Sequence, residues 1–238
     1  MKLGQPFIIA HRGASNFEHE NTLKAFAKAI ELGADYIETD VRKTADGVLI
    51  LHHDSTVGRL RIKKTKYWDL RKAAQKRNFD IPTLHDLIKP VKGKIKLDIE
   101  LKEKGYESKV TNVLKGSLSY KDFVITSFYD SAIKAVKAYD KKIICGLLCD
   151  YFRVTTKIGG PFKKAILAKA DFIAPNFRLL KPKFIKKAEQ NSLPIWAWTI
   201  DSPKKITEYS QNKAIKAIIT NVPDATLLVK KTFGGKHS

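Results

Sequence analysis

The chain has 238 residues, 43% hydrophobic and 29% charged, a balance that can bury a full core and excludes a disordered chain. Lysine and arginine outnumber aspartate and glutamate 45 to 24, a formal charge of +21; such a surplus favours anionic partners, among them phosphorylated small molecules, lipid headgroups and nucleic acid, and reads equally as a solvated lysine-rich surface. No run approaches the ~18 apolar residues of a membrane span, and residues 7–10 are too short for a signal-peptide core, so the expected location is the cytoplasm, without stable membrane insertion.

In chain order, short apolar runs read as strands at 7–11, 35–42, 48–53, 95–101, 123–127, 143–148, 172–176, 195–199 and 217–220. Helical spacing separates most of them. Within 22–32, Leu23, Phe26, Ala27 and Ile30 recur at i, i+3, i+4 and i+7. The segments 67–76, 131–139, 161–169, 182–190, 203–211 and 224–231 repeat the pattern, several opening on a proline suited to a first helical turn. Strand and helix in alternation predict a parallel sheet with covering helices. The Asp46-Gly47 pair marks a hairpin whose return arm is 48–53. Eight strands then remain, the number of an α/β (β/α)8 TIM barrel of this length. The reading is one barrel domain over 1–238, with a short insertion at about 54–94 that carries the basic run 59–66. Residues 234–238 read as a frayed tail. Cys145 and Cys149 are four apart on one strand, roughly 13 Å, too far for a disulfide, and are expected as two buried thiols.

In such a barrel the chemistry lies at the C-terminal ends of the strands. His11 and Arg12 close the first, Glu38 and Asp40 the second, Asp98, Glu100 and Lys102 the third, and Trp198 a later one. Glu38 and Asp40, two apart, face the same side, and like charges about 7 Å apart repel unless a cation lies between them. With Glu100, three carboxylates converge in an oxygen-only set suited to one hard divalent cation, Mg²⁺ or Ca²⁺; pairing with Arg42 and Lys102 is the alternative. Folding the hairpin about Asp46-Gly47 places His53 opposite position 39, beside these acids. Two imidazoles at one anionic site can divide acid and base work near neutral pH. His52, on the opposite face, and His85 read as structural. Arg12 can grip a phosphate with two parallel hydrogen bonds, and Lys102 adds a second positive charge. Asn21 or Thr22 caps the first helix. Trp198, at a strand end, is the better pocket wall of the pair Trp196 and Trp198.

His11-Arg12-Gly13, Glu20-Asn21-Thr22, Glu38-x-Asp40, Thr44-x-Asp46-Gly47 and His53-Asp54 resemble, in order and spacing, the motif series of glycerophosphodiester phosphodiesterases. Ile81-Pro82-Thr83-Leu84, Glu100-Leu101-Lys102, Trp198-Thr199 and Ile219-Thr220-Asn221-x-Pro223 extend the resemblance over nearly the whole chain. It implies a TIM barrel with a small insertion after the second strand, and one divalent metal used to split glycerophosphodiesters into glycerol 3-phosphate and an alcohol. By matching position, Glu38, Asp40 and Glu100 would be metal ligands, His11 and His53 the acid/base pair, Arg12 and Lys102 the phosphate holders, and Glu20 an organiser of the site. This chain departs from the family at His19, where proline is usual, at Asn221, where aspartate is commoner, and in its short, basic insertion.

Two other readings follow from the charge. One is a related barrel acting on intact phospholipids, with 59–66 against an anionic membrane. The other is a nucleic-acid binder, which the even spread of basic residues and the lack of a recognisable motif disfavour. The expected partner is a small phosphodiester, with no specific nucleic acid, bound by a monomer or homodimer.

Overall fold

The computed structural model describes residues 4–150 and 160–234. Eight parallel strands form its centre: β1 (Phe7–Ala10), β2 (Tyr36–Lys43), β6 (Lys96–Leu101), β7 (Phe123–Ser127), β8 (Cys145–Cys149), β9 (Phe172–Pro175), β10 (Ile195–Ala197) and β11 (Ile215–Thr220). β1 pairs with both β2 and β11, which closes the sheet into a (β/α)8 barrel. β3 (Leu49–Leu51) lies antiparallel on β2, with Val41 opposite Leu51. Almost every residue of the barrel strands is buried, as expected where one face lines the interior and the other meets helices.

The covering helices are α1 (Leu23–Glu31), α4 (Glu107–Ser117), α5 (Asp130–Tyr139), α6 (Gly160–Leu167), α7 (Pro182–Gln190), α8 (Pro203–Ser210) and α9 (Ala225–Gly234). α1 buries Ala25, Phe26 and Ala29. Thr22 caps it, its hydroxyl accepting from the Ala25 N–H. α3 (Leu84–Val91) also covers the barrel, with Leu84, Leu87, Ile88 and Val91 in the barrel core. The insertion before it folds as a small hairpin of β4 (Thr56–Val57) and β5 (Leu60–Arg61), then α2 (Tyr67–Gln75). Its own core of Ile50, Val57, Ile62, Leu70, Ala74 and Ile81 packs beside the barrel. α3 opens on a reciprocal cap between Thr83 and Asp86.

Several ends differ from the sequence expectation. The return arm ends at Leu51; beyond it the His52 N–H still donates to the Asp40 carbonyl at 2.9 Å, and the Arg42 guanidinium binds the His53 carbonyl at 2.9 and 2.7 Å. β9 stops at Pro175, and β10 at Ala197, with Trp198 bridging only to Asn176. β8 runs 145–149, not 143–148. α3 and α4 form where no helical pattern is marked: α3 contains Pro90, and α4 carries polar residues and Gly116. Cys145 and Cys149 are buried free thiols on β8; burial pushes the Cys145 thiol up to about 12 and the Cys149 thiol higher still. Residues 235–238 of the expected tail, including His237, lie outside the described residues.

Inside the barrel, alternate residues stack in layers. The lower layers are aromatic. Phe172 stacks on Trp196 at 4.1 Å, Tyr36 meets Trp196 edge-on, and Phe7 meets Tyr36 the same way, both at 5.4 Å. Gly146 makes room for this group, since a Cβ there would lie 2.1 Å from the Phe172 ring. Continuing each strand by two or four residues reaches the C-terminal rim.

Candidate active site

Register brings the acids together. Glu38 of β2 lies beside Asp98 of β6, and Asp40 beside Glu100. All four are buried. Glu38, Asp40 and Glu100 each offer an oxygen within 4.8 Å of the others', so these three could hold a cation in an all-oxygen set. Lys102 sits against two of them, its Nζ 2.8 Å from Glu100 Oε1 and 3.2 Å from Asp40 Oδ1. The alternative pairing is thus present for Lys102, while Arg42 turns instead to Glu103 at 2.6 Å.

The electrostatics sort these acids. Burial pushes Glu38 well above the ordinary carboxylate range, and the charges of Asp40, Glu100 and Asp98 push it further. Burial and the Asp40 charge raise Glu100 to about 7 despite Lys102. Asp98 also rises to about 7 through burial, although it accepts from Thr126 Oγ1 at 2.7 Å. Burial opposes ionisation of Asp40 as well, but Lys102, Arg12 and the Asn21 amide together outweigh it and bring Asp40 down to about 2. Among the described residues the cluster therefore holds more acid than its cations neutralise, a setting that a divalent ion fits.

The turn after β1 aims Arg12 at this cluster. Arg12 (φ 57°) and Gly13 (φ 81°) both adopt left-handed backbone, which for the arginine costs roughly 1–2 kcal/mol. Position 13 must be glycine, because a Cβ there would lie 2.7 Å from the Ala25 backbone. The Arg12 N–H donates to Glu38 Oε2 at 2.9 Å. Its guanidinium reaches Glu20 at 2.8 Å and Asp40 at 3.2 Å. Asn21, also left-handed at φ 56°, donates to Asp40 Oδ2 at 2.9 Å and accepts from Thr39 Oγ1 at 2.7 Å.

The histidines flank the acids. His11 Nε2 is 3.9 Å from Glu38 Oε2, and its Nδ1 is 2.7 Å from Asn221 Oδ1. Burial, aided by Arg12, lowers His11 to about 4. His53 stands opposite, its Nδ1 2.8 Å from Asp54 Oδ1. Both line a cavity of about 220 Å³ with Arg12, Glu38, Glu100 and Lys102. Trp198 forms part of its wall, but the indole N–H donates to the Ala174 carbonyl at 2.7 Å, so only the ring faces the cavity. Glu20 and Asp40 stand behind Arg12, off the wall. His52 bonds the Thr56 carbonyl at 3.1 Å, a structural contact.

Several roles go beyond the sequence reading, in which Asn21 is a candidate cap, Asp98 one of the rim acids and Arg42 a possible partner of the carboxylates. Asn21 sits in the acid network while its neighbour Thr22 is the cap. Asp98, two before Glu100 on one strand, shares its inward face, and that parity is the signal for it. Arg42 holds the His53 backbone. Asp201 accepts from the Asn221 N–H and side-chain amide, each at 2.8 Å, with no local pattern to announce it.

A TIM barrel whose strand ends gather paired histidines, an acid cluster and two cations around one cavity has the layout of a phosphodiester-cleaving enzyme. Residues 11–225 match the glycerophosphoryl diester phosphodiesterase family, and the chain belongs to that family, which makes it a phosphoric diester hydrolase. It is 30% identical to a glycerophosphodiester phosphodiesterase of Caldanaerobacter subterraneus subsp. tengcongensis, over 94% of this chain and 98% of that one. The fold is shared with a phosphodiesterase of Oleispira antarctica solved with the product sn-glycerol-3-phosphate, at a TM-score of 0.82 and 22% identity over 95% of this chain and 97% of that one. A glycerophosphodiester phosphodiesterase of Thermotoga maritima shares it at a TM-score of 0.79 and 22% identity, covering 93% and 97%. Among the described residues no helix is long and apolar enough to cross a membrane.

Proposed function

We propose that this protein hydrolyses glycerophosphodiesters, such as glycerophosphocholine or glycerophosphoethanolamine, to glycerol 3-phosphate and an alcohol. The observation that carries the reading is the meeting of His11, His53, Arg12, Lys102, Glu38 and Glu100 around one small cavity, with an Asp40 oxygen within reach of both carboxylates. At about 220 Å³ it suits a glycerol phosphate group better than a diacyl lipid. Glu38, Asp40 and Glu100 would hold one divalent ion, Mg²⁺ or Ca²⁺, which when bound supplies positive charge at a non-bridging phosphate oxygen.

The remaining work falls to side chains. Arg12 and Lys102 bind the phosphate and take up charge as it shifts in the transition state. Glu20 orients Arg12 through their ion pair, and the Trp198 ring closes the wall. His11, kept neutral by burial and Arg12, accepts the proton of the nucleophile at Nε2. His53, its ring oriented by the Asp54 carboxylate, gives a proton to the departing alkoxide. Activity then falls on both sides of neutral pH. We read residues 1–238 as one unit with the insertion at about 54–94, acting in the cytoplasm as a monomer or homodimer without a specific nucleic-acid partner.

The test is release of glycerol 3-phosphate from both substrates with Mg²⁺, with Ca²⁺ and with EDTA. Release with a metal and none in EDTA supports the reading. No release with either metal, from protein shown to be folded, overturns it.

A further inference from the structure

Asn221 accepts at Oδ1 from two sides, from Ser15 Oγ at 2.9 Å and from the His11 ring at 2.7 Å. What turns the amide that way is Asp201. Its Oδ1 accepts the Asn221 backbone N–H at 2.8 Å and the Thr220 hydroxyl at 3.1 Å. Its Oδ2 accepts the Asn221 Nδ2 at 2.8 Å. An ionised carboxylate has only acceptors, so the Asn221 side chain must present its NH₂ to Asp201 and its oxygen to His11. An amide oxygen in turn requires a proton on Nδ1, which leaves the Nε2 lone pair facing the cavity and Glu38.

We infer that Asp201 and Asn221 are positioning residues that hold neutral His11 in its Nδ1-protonated tautomer, so that Nε2 is free to accept the proton of the nucleophile. The inference rests on the hydrolase reading for its consequence in turnover. The geometry behind it is independent of substrate. It also gives sense to asparagine at 221: the carboxylate is moved one amide away from the imidazole, and the tautomer is set without a charge against the ring.

The isosteric substitution Asp201→Asn gives a specific outcome. Position 201 keeps an oxygen towards the Asn221 N–H and the Thr220 hydroxyl, so its NH₂ must point where Oδ2 was. Asn221 then turns its oxygen to that NH₂ and its own NH₂ to His11. His11 must accept at Nδ1, and its proton moves to Nε2. The exchange variant D201N/N221D reverses this, since a carboxylate at position 221 accepts both from the amide now at position 201 and from His11.

The experiment is ¹⁵N NMR of the ring nitrogens of His11 in the full chain above neutral pH, paired with kcat and KM. Wild type is expected to show a protonated Nδ1 and a bare Nε2, D201N the reverse, and the exchange variant the wild-type pattern. The kcat of D201N should fall by about 10²-fold or more, the scale of an imidazole base held in the wrong tautomer, with KM little changed and kcat recovered in the exchange variant. A wild-type His11 protonated at Nε2 overturns the inference, as does a D201N protein with unchanged tautomer and kcat. If D201N fails to fold, the wild-type and exchange spectra still decide. If wild type cleaves no phosphodiester the hydrolase reading fails, while the tautomer series remains readable.

Discussion

Tyr36 and Asp40 lie four residues apart on β2 and point into the same interior, in opposite settings. Around Tyr36 the layer is aromatic: Phe7, Phe172 and Trp196 pack ring on ring, with the Lys96 ammonium 5.4 Å from the Tyr36 ring as its cation. Around Asp40 the side chains of Arg12, Lys102 and Asn21 converge as charged or hydrogen-bonding partners. The two layers meet at Asp98, whose Oδ1 has Thr126 while its buried Oδ2 has no hydrogen-bond partner. The aromatic floor leaves the acids no solvent beneath them, and burial, with the charges of neighbouring acids, raises Glu38, Asp98 and Glu100. Folding strength resides below, and the capacity to bind charge above.

The largest separation of the two layers is expected from His53→Ala, which should lower kcat by ~10²–10⁴-fold, the scale of a general acid–base group, and leave the melting temperature unchanged. Trp196→Ala should do the opposite, costing roughly 3–5 kcal/mol as a buried aromatic deletion, read by denaturant unfolding. A large loss of stability in the histidine variant would break the division of labour.

The pH dependence sharpens it further. Asp98 and Glu100, raised to about 7, bind more protons folded than unfolded, so the stability they contribute is present below pH ~4 and is lost as pH rises to ~7. His11, lowered to about 4, has the contrary sign: its contribution is complete above pH ~6.5 and is lost as pH falls. Because the raised acids are also the proposed cation ligands or their neighbours, Mg²⁺ or Ca²⁺ should raise the melting temperature more at pH ~8 than at pH ~5. Thermal unfolding with and without EDTA at the two values checks this. The smallest effect is expected outside both layers. Thr83→Ala removes the cap of α3 and should cost ~1 kcal/mol without changing kcat.

Much of this was legible from the chain alone, for reasons the two layers make plain. Strand parity needs only the alternation of side chains, so the sequence itself sets Glu38-x-Asp40 on one face, with Glu100 at the end of another strand. The hairpin follows from the Asp46-Gly47 turn, and its pairing is observed from Lys43 with Leu49 to Val41 with Leu51, two residues short of His53. What was not legible depends on contacts between distant segments. Asn21 looks like a cap until the backbone of β2 comes beside it. Asp201 reaches Asn221 only because β10 and β11 are neighbours in the closed barrel. α4 buries only Val110, Thr111 and Leu114, too few apolar residues to mark it, and it packs against the neighbouring helices α3 and α5.

The most direct test of the upper layer as a cation site is calorimetric titration of Mg²⁺ or Ca²⁺ into metal-free protein, comparing wild type with Glu38→Gln, Asp40→Asn and Glu100→Gln. The account predicts one ion per chain for wild type and a marked loss of affinity in each variant, with all four proteins folded. Binding undiminished in the three variants, or no ion bound by a wild type that cleaves its substrate in EDTA, would contradict it.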